Sequence, residues 1–340
     1  VLNFLQSYLS VWTGRENADA ILGLLSYIPI VSFQDAYIDY FQPAEQALGS
    51  QGPSAYQKLI IFYAALFQQQ VRETTSQASQ RHPSDAQIFH DLTTHVSTIT
   101  TSLLLSLPQN DGQPIISAIL SFYELLSTSS QPHIVPIILP PMHLIYLLTQ
   151  HASPATFSRV CGIIGSYKLA FDQHPKPVKE YYPTHVTDAL NWCLRDIYHL
   201  LWISRALVTA DQKALGLHCD PALRSTLNDY LNGVDREYAI GAAFGLSNNA
   251  LLASLSAAAW RVAEEREISR EGYDEGSIRY HQGPVSQRSL EVLKRKGGVS
   301  VDWDGANGFK VFVLNWLAER GMSGIRELMF ATVTELRGKG

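Results

Sequence analysis

Apolar residues along the chain recur at steps of three and four, the period of a helix buried on one side, and no run alternates strictly enough to be a strand. The stretch that organises the pattern is Asp188–Gly216, DALNWCLRDIYHLLWISRALVTADQKALG. Leu190, Cys193, Leu194, Ile197 and Leu201 make one stripe, and Trp192 and Trp202 widen the apolar surface around it. The spacing predicts a core helix that passes through Trp202, Arg205, Ala206 and Leu207 into a short polar break at Asp211.

The same rule carries through the rest of the chain. Val1–Trp12, closed by Gly14, and Ala18–Tyr27, ended by Pro29, read as short helices. Ser32 can cap a third, with Phe33, Ala36, Tyr37, Tyr40 and Phe41 on one face, and Pro43 starts another that reaches Leu48. A long helix is expected over Ala55–Arg72, its middle apolar on nearly all sides, with the polar run after it as a loop. Ser84 and Gln87 have capping-box spacing before a stripe of Ile88, Leu92, Val96, Ile99 and Leu103. Its other side is Thr- and Ser-rich, but the period is helical and the run too long for a strand. Helices follow over Pro114–Leu126, Met142–Gln150, Ser153–Phe171, Asp220–Leu231 and Asp235–Phe244. The next, Asn248–Ile268, should face Leu251, Leu255, Ala258, Ala259 and Val262 inward, with Arg261–Glu265 and Glu267–Arg270 paired on the wet side. Residues 269–284 read as a flexible loop; the last helices are Ser286–Lys296, Phe309–Arg320 and Gly324–Arg337.

This is an all-α chain. At 340 residues it exceeds the ~250–300 at which one globular core stops growing, so either two domains or an elongated array is expected. No strict repeat occurs at about 34 or about 40 to 47 residues. An irregular α-solenoid of HEAT-like hairpins over residues 1–340, as part of a longer protein, is the architecture that fits.

Composition narrows the function. Charged residues make up only 17% against 46% apolar, so much helix surface is covered by other helices or by a partner. Net charge is −5, and the densest basic runs, Lys294-Arg295-Lys296 and Arg337 with Lys339, are short. Phosphate neutralisation needs clustered bases, so direct DNA binding is not indicated. Cys161, Cys193 and Cys219 are too far apart for a zinc site or disulfide framework, which suits buried thiols in a reducing compartment. The start, VLNFLQSYLSVW, lacks the features of a signal peptide. The most apolar window, Ile134–Leu148, is broken by Pro136, Pro140 and Pro141 and is shorter than the ~20 residues of a membrane span.

No phosphate loop, dinucleotide fingerprint or nucleophile elbow occurs. Gly162 and Gly165 lie inside a helical pattern, where close helix packing explains them. His90 and His95 are five apart, off the four-residue step by which one helix chelates zinc. Glu264, Glu265 and Glu267 read as a solvated, counter-charged face, and Asp302 and Asp304 as acids at the start of a helix. Trp192, Trp202 and Trp260 read as core anchors, with peptide binding the second reading. Arg205 reads as an internal pair with Asp211 that fixes a turn, with partner contact second. No cofactor or metal is expected.

Two stretches carry a resemblance. A helix with Cys193, then Trp202, then Arg205-Ala206-Leu207, followed by Asp211 and Ala214-x-Gly216, resembles the later half of centromere protein I, the large helical subunit of the inner kinetochore. Leu24–Leu48, with Ser32-Phe33-x-x-Ala36-Tyr37 and Phe41-x-Pro43-x-Glu45, and the apolar helix Lys58–Phe67 behind it, are similar to a region of its fungal members. A departure is Cys219, three residues beyond Gly216, where that pattern has a Cys or small residue directly after the Gly. The resemblance implies a nuclear, centromeric scaffold without chemistry of its own. It implies the coiled-coil centromere proteins H and K as partners, with centromere protein M and other inner-kinetochore subunits nearby. A transport-receptor-like solenoid is the alternative, and an all-α enzyme with a polar pocket between helices ranks below it.

Overall fold

The computed structural model describes residues 2–76, 84–106, 112–129, 135–149, 151, 153–174, 182–203, 220–234, 245–247, 249–274, 276–281, 285–303, 305 and 307–336. Among them there is no strand: the chain is all-α, as its periodicity predicts. It divides into two compact units, Val1–His151 with Ser166–Pro183, and Ala152–Gly165 with Thr184–Gly340.

The first unit holds α1 (Leu2–Leu9), α2 (Ala18–Leu25), α3 (Phe33–Ala36), α4 (Gln42–Gly49), α5 (Pro53–Ser76), α6 (Ser84–Ser106), α7 (Gln113–Ser129) and α8 (Met142–Thr149). It also holds the C-terminal part of α9 (Pro154–Asp172). α5 is the hub, packed against α2, α4, α6 and α7. Leu59, Ile60, Phe62, Tyr63, Leu66 and Phe67 are buried there, while Ile61 stays exposed, so α5 is covered on most sides rather than all. It also runs further than expected. Thr74, Thr75 and Ser76 donate their hydroxyls to the carbonyls of Gln70, Val71 and Glu73 at 2.9, 2.7 and 2.8 Å, which satisfies polar side chains within the helix. α6 does the same on both its sides: exposed Thr98 and Ser102 and fully buried Thr100 bond back to the carbonyls of Thr94, Thr98 and Val96.

Between α3 and α4 the helix widens into a π-turn, Tyr37–Phe41, in which the Gln42 N–H reaches back five residues to the Tyr37 carbonyl. Pro43 explains the widening: it has no N–H to offer, and its ring would press on the carbonyl four residues back in a regular turn. The wide turn keeps both Phe33 and Phe41 inside. The Pro-broken segment ahead of α8 is extended and held by two tyrosines. The Ile137 N–H donates to Tyr182 Oη at 3.0 Å, and Tyr167 Oη donates to the Ile138 carbonyl at 2.8 Å.

The second unit holds the N-terminal part of α9, then α10 (Thr184–Tyr198), α11 (Pro221–Val234), α12 (Ala253–Glu271), α13 (Gln287–Arg295), α14 (Gly308–Ala318) and α15 (Ser323–Thr332). The stripe of the organising stretch is buried throughout, from Leu190 to Leu201. Its helix passes into a second π-turn, His199–Ile203, two of whose carbonyls find partners outside it. The Leu246 N–H donates to Leu201 O at 2.9 Å and Lys310 Nζ donates to Trp202 O at 2.7 Å.

α9 and α15 approach closely because both carry glycine. A Cβ on Gly324 would lie 2.0 Å from the Ser158 carbonyl oxygen, and one on Gly162 would lie 3.5 Å from Gly324 Cα. Caps fall where the sequence puts them at Ser32 and Asp220, whose side chains accept N–H groups of the first helical turn, and Ser286, expected inside its helix, caps it in a reciprocal box with Ser289.

Three expectations need correction. α12 starts at Ala253 and buries Ser256, Ala259, Trp260, Ala263, Glu264, Glu267 and Ile268, so its inner face is rotated from the predicted one. Glu264 and Glu267 are therefore buried rather than solvated, although the pairing holds: Arg261 reaches Glu264 at 2.8 Å and Glu265 at 3.4 Å, and Arg270 reaches Glu267 at 2.5 Å. The turn of the face follows Trp260, whose ring meets Trp303 and Phe309 at 6.3 and 6.1 Å. Asp302 is not a cap, because α14 begins at Gly308 with Asn307 at the capping position. Trp303 instead docks on Phe309 and Phe312 at 5.6 and 5.3 Å. Ser269–Glu271, expected in a loop, complete α12, which Gly272 closes in the left-handed conformation. Asp304 and the predicted helix 235–244 lie outside the described residues.

Candidate functional site

Of the four side chains singled out by the sequence, Trp192, Trp202 and Trp260 lie among the described residues. Trp202 and Trp260 are core residues of the second unit, each at most 5% exposed, and the Lys310 ammonium lies over the Trp202 ring at 4.9 Å. Burial lowers the Lys310 pKa, and nearby Glu335 partly offsets this. Trp192 is no core anchor: it stands on the outer side of α10, 45% exposed, because the buried stripe of Leu190, Cys193, Leu194 and Ile197 turns it outward. Arg205 lies outside the described residues, as do Asp211 and Cys219. Cys161 and Cys193 are free, buried thiols; burial pushes the Cys161 pKa far up and that of Cys193 up to about 12, which disfavours the thiolate at both.

What the sequence misses lies in the first unit. Glu45 of α4 takes hydrogen bonds from three helical segments at once. Tyr63 of α5 donates to its Oε1, His95 Nε2 of α6 lies 2.6 Å from the same oxygen, and Tyr37 of the π-turn donates to Oε2 at 3.3 Å. The His95 ring sits among Phe33, Tyr37 and Tyr63 at 5.6, 4.7 and 5.4 Å. Burial first, then the Glu45 charge and hydrogen bond, hold the Tyr63 hydroxyl well above its ordinary range, and the same causes raise Tyr37. Glu45 and His95 are fifty residues apart in the chain, and a one-dimensional pattern carries no sign that they meet. The cluster ties α4, α5, α6 and the π-turn together.

His90 shares α6 with His95 but is exposed on another side, so the two do not form a pair. It lines an open groove of about 320 Å³ with Thr94, Thr98, Thr101 and, across it, Pro141 and His143. The buried Thr93 hydroxyl also lines it and has no hydrogen-bond partner among the described residues. Among the described residues its walls carry hydroxyls, methyls and imidazoles but no carboxylate, lysine or arginine. No group of three His, Cys, Asp or Glu among the described residues could hold a metal ion. No helix among them is long and apolar enough to cross a membrane.

The surface feature that stands out is apolar. Seven of the fifteen exposed large apolar side chains among the described residues lie between Leu2 and Ile38: Leu2, Phe4, Val11, Leu24, Tyr27, Val31 and Ile38. On α1, Leu5 and Leu9 turn inward, which leaves Phe4 exposed and Tyr8 half-exposed one turn apart, their rings stacked at 6.0 Å, and Val11 is exposed in the turn after the helix. Fold and surface together define a chain that is all-helical among its described residues and whose N-terminal segment exposes apolar side chains. No family model matches the chain, and no curated protein matches it either.

Proposed function

We propose that this protein is a non-enzymatic scaffold that holds helical partners by burying their apolar ridges against its own exposed apolar side chains. The observation that carries the reading is the concentration of exposed Leu, Phe, Val, Tyr and Ile side chains between Leu2 and Ile38, since apolar surface gathered in one region marks a site of association. In this reading the helices stack as degenerate HEAT-like hairpins of an irregular α-solenoid. The resemblance of Leu24–Leu48 and Asp188–Gly216 to centromere protein I supports a place in the inner kinetochore of the nucleus, in kinetochore assembly and chromosome segregation. Centromere proteins H and K would be the coiled-coil partners, with centromere protein M and other subunits of the same network nearby.

Size-exclusion chromatography of the chain mixed with the H–K heterodimer tests it. Co-elution is expected. A chain that is helical by circular dichroism yet elutes apart from the heterodimer would defeat the kinetochore assignment.

A further inference from the structure

The exposed N-terminal apolar side chains stand on an acidic background. Within residues 1–50 the acids are Glu16, Asp19, Asp35, Asp39 and Glu45 and the single base is Arg15, so this segment carries a net charge of −4 where the whole chain carries −5. Glu45 is turned inward to its cluster, but the others are on the surface. Glu16 and Asp35 are exposed and have no cationic partner among the described residues. Asp39 accepts only the Gln6 amide, at 3.0 Å, and Asp19 reaches Lys58 at 2.8 Å while its side chain stays 81% exposed. Arg15 donates to the Gln51 amide oxygen at 2.9 Å rather than to an acid.

We infer that the exposed apolar side chains of the segment Leu2–Ile38, centred on α1 where it meets the π-turn Tyr37–Phe41 through the Gln6–Asp39 hydrogen bond, bind the apolar side of a basic amphipathic helix. The inference rests on the scaffold reading and names the chemistry of the partner. Three features fit such a helix. Phe4 and the half-exposed Tyr8 stack one turn apart on α1, and Val11 is exposed in the turn that follows it, so a second helix can lay its apolar side against them. Leu24, Tyr27 and Val31 add exposed apolar surface at and beyond the end of α2. The acids supply a field that draws a Lys- or Arg-flanked helix in and repels an acidic one, a preference that apolar area alone cannot give.

The test uses the full chain and a fluorescent designed helix of about five turns, Leu on one face and Lys on the other, with a Leu and Glu counterpart. The Leu and Lys helix is expected to bind saturably. Its affinity should fall about tenfold or more in Asp35→Asn/Asp39→Asn and in Phe4→Ser/Val11→Ser, and also on raising salt from about 0.05 to about 0.5 M. The distant pair Asp229→Asn/Asp274→Asn should leave it unchanged, and the Leu and Glu helix should not bind. Phe4 and Val11 are exposed, so both N-terminal variants should keep the wild-type melting curve, which separates lost binding from lost fold. Equal binding of both helices, no binding, or binding indifferent to the N-terminal variants would overturn the inference. If those variants still co-elute with a helical partner held by the wild type, this surface is the wrong one and the scaffold reading stands.

Discussion

Tyr63, Tyr123 and Tyr167 are almost wholly buried, and each has its hydroxyl pKa raised above the ordinary value near 10, chiefly by burial. Tyr63 is pushed further by the Glu45 carboxylate, whereas at Tyr123 hydrogen bonds from Ser97 and Thr100 pull the other way. The sign of the consequence is fixed. A tyrosine whose folded pKa is raised keeps its proton when the unfolded chain has lost it, so its contribution to stability is complete below about pH 10 and is lost as pH climbs above that. The urea midpoint should therefore hold steady up to about pH 8.5, begin to fall above that because the buried Cys161 and Cys193 thiols ionise only on unfolding, and fall more steeply above about pH 10. Tyrosinate absorbance from the buried residues should appear only together with loss of the helical circular dichroism signal. Complete tyrosine titration near pH 10 in a chain that is still helical would contradict the burial described.

Between elements, the crossing of α9 and α15 is the most demanding contact. A methyl group on Gly324 would sit against the Ser158 carbonyl and the Gly162 backbone, and backbone cannot step aside as the end of a side chain can. Gly324→Ala should cost about 1–3 kcal/mol, the usual range for overpacking. Gly162→Ala is the contrast, since its added methyl meets Gly324 Cα at an ordinary 3.5 Å and removes a glycine from a helix interior, worth about 0.5–1 kcal/mol. Urea denaturation of the two variants reads both; if Gly162→Ala proves the more damaging, the helices do not cross as described. The same scale shows why the sequence places some elements well and others poorly. The stripe of Leu190, Cys193, Leu194, Ile197 and Leu201 is legible because five apolar side chains share one side of one helix. The inner face of α12 is not, because alanines, serines and glutamates distinguish its sides weakly, and the docking of Trp260 on Trp303 and Phe309 decides which side turns in.

For the whole chain, two compact units imply more than one cooperative core. Calorimetry should give a total unfolding enthalpy larger than the van't Hoff enthalpy of the transition. Equality of the two would mean that the units melt as one. α9 supplies residues to both units, so a substitution in its C-terminal part, such as Tyr167→Ala, acts on the core of the first unit, and one at Cys161 acts on that of the second.

By itself the sequence determined the helical class, the caps at Ser32 and Asp220, the close glycines of α9 and the burial of Trp202 and Trp260. Each of these depends on residues within a few turns of one another or on what a single side chain can tolerate. Only the tertiary structure decided that Glu45, Tyr63 and His95 meet, that Pro43 is accommodated by a π-turn, that Trp192 faces outward, and that Glu264 and Glu267 are buried. Those outcomes turn on which helix lies against which, and the free energy that selects the arrangement comes from faces far apart in the chain.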